Sequence, residues 1–362
     1  MKIKSIAFAV ASTLSFTAVA NNSSVDSPEI QKAIQLLEEK GYQIDSPSES
    51  RKSSPSGVQL KTYQTGKVDA FFSGAYGRTK YKGGVDLSSD ATTTMRDNSY
   101  NLRGSFAYQD PSKLGVQFDA VYSQDDMKNA KMTTLDLAGH AFYRNDKFLL
   151  GIFGQFKQPK LHNKDIFTGN SASDFSANTV INLQNNLLVS DQAFFGAEAQ
   201  GYFGDLTLTG QIARQNFINQ KDFSADVSSD IYKRGSVATA KADYFVNDNW
   251  KVTGGYSFND VTGLASYDTK KYSLGTEYRL INYPVSFYAD YNRNKLSLDG
   301  EGLNGSKFET DAVMLGMRWN FGSDSLKSRY RSGASLDPIS NVGFADVWAK
   351  ALGGASEVSI PP

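Results

Sequence analysis

The sequence contains no cysteine and only two histidines among its 362 residues. The first absence excludes a disulfide scaffold, a thiolate-ligated zinc or iron–sulfur centre and a cysteine nucleophile. The second leaves little material for an imidazole metal site. Neither sign of charge is in excess, since 38 Lys and Arg balance 38 Asp and Glu, so no broad basic face is offered to nucleic acid. Beyond residue 20 no apolar run approaches the length of a spanning helix. What the chain has in abundance is Gly (31), Phe (23) and Tyr (19), a composition suited to twisted strands joined by tight turns. The expectation is an all-β chain with no resident metal or cofactor.

Met1 to Ala20, MKIKSIAFAVASTLSFTAVA, carries two lysines, an uncharged run from Ile6 and the small-x-small ending Ala18-Val19-Ala20. This is the grammar of a secretory signal peptide cleaved after Ala20; the run is short for an anchor helix, and the polar residues Asn21 to Ser24 follow it. Residues 21–65 begin with a short amphipathic helix, its face formed by Ile30, Ala33, Ile34 and Leu37, and continue into a Ser/Pro-rich linker over 45–57. So short a helix needs a surface to pack on, whether this protein's main domain, another copy or a partner.

From Gly66 onward the dominant signal is alternation with period two. In LGVQFDAVYS, Leu114, Val116, Phe118, Ala120 and Tyr122 share one face while Gln117, Asp119 and Ser123 share the other. The same split recurs in Leu206 to Ile212, Trp250 to Asn259, Val285 to Asn292 and Val313 to Phe321. Twelve strands are predicted, at about 66–82, 98–110, 114–124, 132–144, 147–158, 191–204, 206–217, 236–247, 250–260, 269–281, 285–295 and 307–321. Five connections are tight turns, at Asp110 to Lys113, Arg144 to Lys147, Gly204-Asp205, Asn247 to Asn249 and Ile281 to Pro284. The intervening ones are longer and polar, notably 83–97, 158–190 and 218–235. A soluble sandwich also alternates, but it has no reason to alternate short and long connections; a transmembrane barrel does. Aromatics mark both strand ends, Tyr108, Tyr143, Phe148, Phe203, Trp250 and Phe321 near the turns and Tyr76, Tyr122, Phe258, Tyr272 and Tyr291 near the loops, as two interfacial girdles require.

These features together resemble the outer-membrane β-barrels of Gram-negative bacteria, and among them the small porin-like proteins. The last strand, Leu315 to Phe321, is similar to the terminal signal of that class through Gly316, Trp319 and Phe321, although here the chain continues to Pro362. The resemblance implies a transmembrane antiparallel up-and-down barrel over 66–321, exported to the outer membrane, with outer-membrane lipid and the barrel assembly machinery as partners. It leaves a homo-oligomer open. The tail 322–362, with its basic cluster Lys327, Arg329 and Arg331 and a short helix expected around Phe344 to Leu352, reads either as a solvated periplasmic extension or as a plug.

The polar faces place Asp69, Asp119, Asp136, Glu198, Asp243, Glu277 and Asp290 together with Arg103, Lys157, Lys241, Lys251, Lys271, Arg279 and Arg318 toward the lumen. Of these, Arg103, Asp119, Asp136, Glu198, Lys241, Asp243, Lys251, Glu277, Arg279, Asp290 and Arg318 are the candidate pore-lining residues. Twelve strands lie between the side-chain-filled eight and the open sixteen, so a narrow aqueous pore for small hydrophilic solutes or ions is expected. The alternative is a non-conducting structural or interaction barrel sealed by charge networks. An outer-membrane enzyme is the weakest reading: His140 sits toward the short-turn end, and neither His162 in the loop nor the pair Asp125-Asp126 completes a defensible catalytic spacing. The loop 158–190 suits either an inward constriction or an exposed surface loop.

Overall fold

The computed structural model describes residues 66–84, 93–126, 130–163, 190–218, 232–263, 266–299 and 307–339. All of them belong to one compact unit, Tyr63–Pro362. The expected signal peptide, the N-terminal helix, the linker, most of the loop 158–190 and the helix at Phe344 to Leu352 lie outside the described residues.

The strands are β1 (Lys67–Gly84), β2 (Thr93–Gln109), β3 (Leu114–Asp126), β4 (Ala130–Arg144), β5 (Phe148–Asn163), β6 (Asp191–Phe203), β7 (Leu206–Ile218), β8 (Tyr232–Asn247), β9 (Trp250–Gly263), β10 (Ser266–Arg279), β11 (Val285–Asp299) and β12 (Lys307–Phe321). Each pairs antiparallel with its sequence neighbours, and β1 pairs with β12 from Ala70 opposite Phe321 to Gly84 opposite Lys307, which closes the ring. Closure leaves no edge with unpaired backbone groups, the condition for a sheet to stand in hydrocarbon. The five turns β2–β3, β4–β5, β6–β7, β8–β9 and β10–β11 lie at one rim, together with the start of β1 and the end of β12. Asx-type hydrogen bonds shape three of them: Ser112 N–H donates to Asp110 Oδ1, Lys147 N–H to Asn145 Oδ1, and Asn249 N–H to Asn247 Oδ1. The β6–β7 turn uses Gly204 at φ +57°, a conformation open to glycine without steric cost.

The outward face is the apolar one throughout. Phe72, Phe118, Phe195, Ile212, Leu274 and Leu315 all point away from the barrel interior, and Phe195 retains 66% of its accessible surface. A soluble barrel would not leave so continuous a belt of large apolar side chains uncovered; the belt is a surface for lipid. Of the expected girdle residues, Tyr108, Tyr143, Phe148, Phe203, Trp250 and Phe321 are exposed near the short turns and Tyr76, Tyr122 and Tyr272 at the other end, while Phe258 and Tyr291 are half-buried. Tyr76 and Tyr100, and Tyr256 and Tyr272, meet across neighbouring strands with ring centroids 5.2 and 5.3 Å apart.

Two expectations are corrected at the long-loop rim. The strands run further than alternation indicated, β5 to Asn163 rather than 158 and β2 from Thr93 rather than 98. Near that rim the inward face carries buried apolar side chains, Tyr81, Met132, Val261, Tyr267, Leu296 and Phe308, so the contrast between an apolar and a polar face is lost there. The connections also vary more than expected at that rim, because β3–β4 and β9–β10 are joined by only residues 127–129 and 264–265.

After β12 the chain turns back. Gly322 has φ +96°, and a Cβ there would lie 2.4 Å from the carbonyl oxygen of Val68, so the turn requires glycine. Ser325 then caps the helix α1 (Leu326–Ser332), accepting from the Ser328 N–H at 3.0 Å, and the N–H of Gly333 closes the last turn on the Arg329 carbonyl.

Leu208→Arg and Leu315→Arg should each destabilise the folded barrel by about 2 to 4 kcal/mol, because both place a charge in the hydrocarbon band. Ser123→Arg, on the inward face, should change stability far less. Urea midpoints in lipid vesicles check this; equal losses at the two faces would show that the belt does not meet lipid.

Candidate functional site

The chain from Gly322 to Ile339 lies against the inner wall at the short-turn half of the barrel. Its apolar side chains find apolar partners there: Leu326 and Tyr330 pack with Phe245, Ala334 with Phe71 and Ala107, Leu336 with Phe142, Leu149 and Tyr202, and Ile339 with Phe153, Phe194, Ala213 and Val237. Leu326, Leu336 and Ile339 are at most 2% exposed. Full burial of side chains of this size is worth roughly 1.5 to 3 kcal/mol each.

Amide side chains on the wall satisfy the tail's backbone. Gln117 on β3 accepts from the Leu336 N–H and donates to the Leu336 carbonyl at 2.6 Å, and Gln155 on β5 makes the same two-way contact with Ile339. Gln211 on β7 donates to the Asp337 carbonyl at 2.8 Å, and Gln200 on β6 bonds Ser335. Arg144 donates to the Gly333 carbonyl and to Ser335 Oγ, while Asp69 accepts from the Ala334 N–H and from Ser323 Oγ. A segment enclosed away from bulk water needs this kind of satisfaction, since each orphaned backbone group would cost about 1 to 3 kcal/mol.

The charges form two clusters. In the first, Glu277 on β10 is buried and accepts from Arg318 Nη1 on β12 at 2.5 Å, from Arg329 Nη2 of α1 at 3.2 Å, from Tyr330 Oη and from Ser286 Oγ. Phe71 lies among the guanidinium groups of Arg318, Arg103 and Arg329, at 4.6, 5.0 and 5.0 Å from its ring centroid. In the second, Asp337 of the tail accepts from Arg103 Nη1 and from Lys241 Nζ, both at 2.5 Å. Arg103 also pairs with Asp119 at 2.7 Å, Lys241 reaches Asp243 at 3.5 Å, and Lys251 holds Asp243 at 2.7 Å. Enclosure by the barrel opposes the charge on Asp337, but Lys241 and Arg103 outweigh it and hold the carboxyl well below the usual carboxylate range.

Above the tail, toward the long-loop rim, lies a polar cavity of about 500 Å³. Of the candidate residues, Arg103, Asp136, Lys241, Lys251, Glu277, Asp290 and Arg318 line it. Asp119, Glu198, Asp243 and Arg279 are inward and buried below or behind it. His140 Nδ1 donates to the Glu198 carboxylate at 2.9 Å, and the other ring nitrogen lies 3.5 Å from Asp119, which places His140 buried between two wall carboxylates. Arg279 and Asp290 are not brought together: Arg279 ends β10 and donates to the Tyr283 carbonyl at 3.5 Å, whereas Asp290 stands opposite Gly275, well up the wall. Among the described residues no group of His, Asp and Glu has the arrangement of a metal site.

The glutamines of the wall were not among the candidate residues, nor were Asp337, Arg329 and Tyr330 of the tail. A signal was available. Phe71, Phe142, Phe153, Phe194 and Phe245 all fall on the inward, otherwise polar face, and a lumen filled with water alone has no use for them.

No protein-family model matches the chain, and no curated protein matches its sequence. Similar solved structures are an outer-membrane channel from Pseudomonas putida F1 (13% identity, 73% of this chain and 100% of that one, TM-score 0.48), the translocator domain of the autotransporter NalP from Neisseria meningitidis (11%, 81% and 95%, 0.41) and the KdgM porin in complex with disordered oligogalacturonate (10%, 69% and 99%, 0.36).

Glu277→Ala would leave Arg318 and Arg329 buried beside each other without their shared counter-charge. It should cost about 3 to 5 kcal/mol and loosen α1. A lowered urea midpoint with faster tryptic cleavage in the tail is the expected result; an unchanged cleavage rate would mean that Glu277 does not hold the helix.

Proposed function

We propose that this protein is a channel of the Gram-negative outer membrane that passes small hydrophilic solutes, and that its own C-terminal segment, residues 322–339, constricts the lumen at the short-turn end. The observation that carries this reading is the polar cavity lined by charges of both signs, enclosed by a closed barrel with an apolar exterior. Ionised side chains facing water cost little, whereas a dry interior needs nearly every one paired. The signal peptide supplies export, and the short-turn rim with the tail faces the periplasm. The terminal strand, with Gly316, Trp319 and Phe321, is the element offered to the assembly machinery. Transport is by diffusion through the barrel, without catalysis or a cofactor.

A second reading is favoured by one specific observation. Arg103, Arg318 and Lys251 are each paired directly with a wall carboxylate, as a sealed barrel requires. In that case the protein is a non-conducting outer-membrane scaffold whose loops or N-terminal helix bind a partner.

Planar-bilayer recording separates the two. The full chain should give small or intermittent steps, and a chain ending at Gly322 should give steps several-fold larger through the vacated lumen. Silence of both proteins, each verified as a folded barrel, would retire the channel in favour of the scaffold.

A further inference from the structure

Asp337 joins opposite sides of the barrel. Arg103 projects from β2 and Lys241 from β8, which face each other across the ring of twelve, yet both end on the same carboxylate. Without it Arg103 and Lys241 are left with the wall carboxylates Asp119 and Asp243, the second of which Lys251 also holds. The further negative charge that bridges the two cations comes from a segment that is not part of the wall. The Asp337 side chain is 41% exposed, and it borders the cavity. Chemically it is a tethered acetate, held between two cations and reachable by whatever occupies that space.

We propose that Arg103 and Lys241 form a binding site for the carboxylate of a small solute, and that Asp337 occupies this site while the tail is docked. The site deepens the channel reading, which supplies the route by which such a solute arrives. A carboxylate that takes the place of Asp337 supplies the same negative charge to Arg103 and Lys241 and releases one polar anchor of the tail. Gln117 and Gln211 then lose the Leu336 and Asp337 carbonyls as acceptors and are free to donate to hydroxyl or carbonyl groups of the same solute. The chemical class indicated is a small, polar carboxylate. A neutral sugar brings no charge to the two cations, and a bare halide offers no second oxygen to span them.

The test uses the full chain folded in detergent, with sodium acetate as probe, sodium chloride at equal ionic strength and acetamide as controls. Asp337→Ala removes the tethered carboxylate and empties the site. Acetate should raise its urea midpoint saturably, with an apparent affinity on the order of tenfold tighter than for the native chain, where the tethered carboxylate competes. Adding Arg103→Gln or Lys241→Gln to that variant should abolish the effect. In the native chain acetate should accelerate tryptic cleavage of the tail, and chloride and acetamide should not. Chloride matching acetate on Asp337→Ala would overturn the proposal, as would native cleavage indifferent to acetate, which would make Asp337 a permanent strut. If the alanine variant does not fold, the native cleavage assay decides alone. None of these readouts requires conduction: a barrel that responds to acetate but passes no current loses the channel and keeps the site, and a conducting barrel indifferent to acetate does the reverse.

Discussion

Closure of the β1–β12 seam is the constraint on which everything else in this molecule depends. In hydrocarbon no water is available to a free strand edge, so each backbone donor and acceptor must be paired within the chain. Twelve strands achieve this by meeting end to end, with Phe321 brought opposite Ala70. Once the ring is closed its width is set, and the inside of a twelve-strand ring is too wide for wall side chains to fill. The interior must then hold water, or chain, or both. Here the tail occupies the short-turn half and a polar cavity lies above it.

The tail is fitted by the same physics that shapes any core, applied to an inner wall. Five phenylalanines on otherwise polar strand faces receive Leu326, Tyr330, Ala334, Leu336 and Ile339, and four glutamines receive its backbone. Buried polar networks are high-stakes because each unmade bond costs more than a made one contributes. The two charged clusters follow this logic differently. Glu277 is buried and accepts from Arg318, Arg329, Tyr330 and Ser286 at once, as a structural hub does. Asp337 is gripped by two cations but open to the cavity, and that openness makes it the part of the interior able to exchange its partner.

Much of the architecture was legible in the residues. Alternation such as Leu114, Val116, Phe118 against Gln117, Asp119 assigns each side chain to lipid or lumen, because a strand offers only two faces and a one-residue slip would put charge into hydrocarbon. Turns at Asp110, Asn145, Gly204 and Asn247 were readable because their chemistry is local. The pairings Arg103 with Asp119 and Arg318 with Glu277 join strands adjacent or nearly adjacent in the ring, but alternation gives each residue a face and not a partner.

The path of the tail was not legible in the same way. Residues 322–339 show neither a strand period nor a long helical one, since their pattern matches the wall they meet rather than any repeat of their own. Arg329 reaching Glu277, Asp337 reaching Arg103 and Lys241, and Ile339 reaching Phe153 are contacts across the hollow of the ring, between residues far apart in sequence. Which face of each strand meets lipid is written in the residues, because that choice is made one position at a time against the cost of burying charge. What fills the lumen is settled by the closed ring, because it depends on the ring's curvature and on which side chains are brought face to face across it.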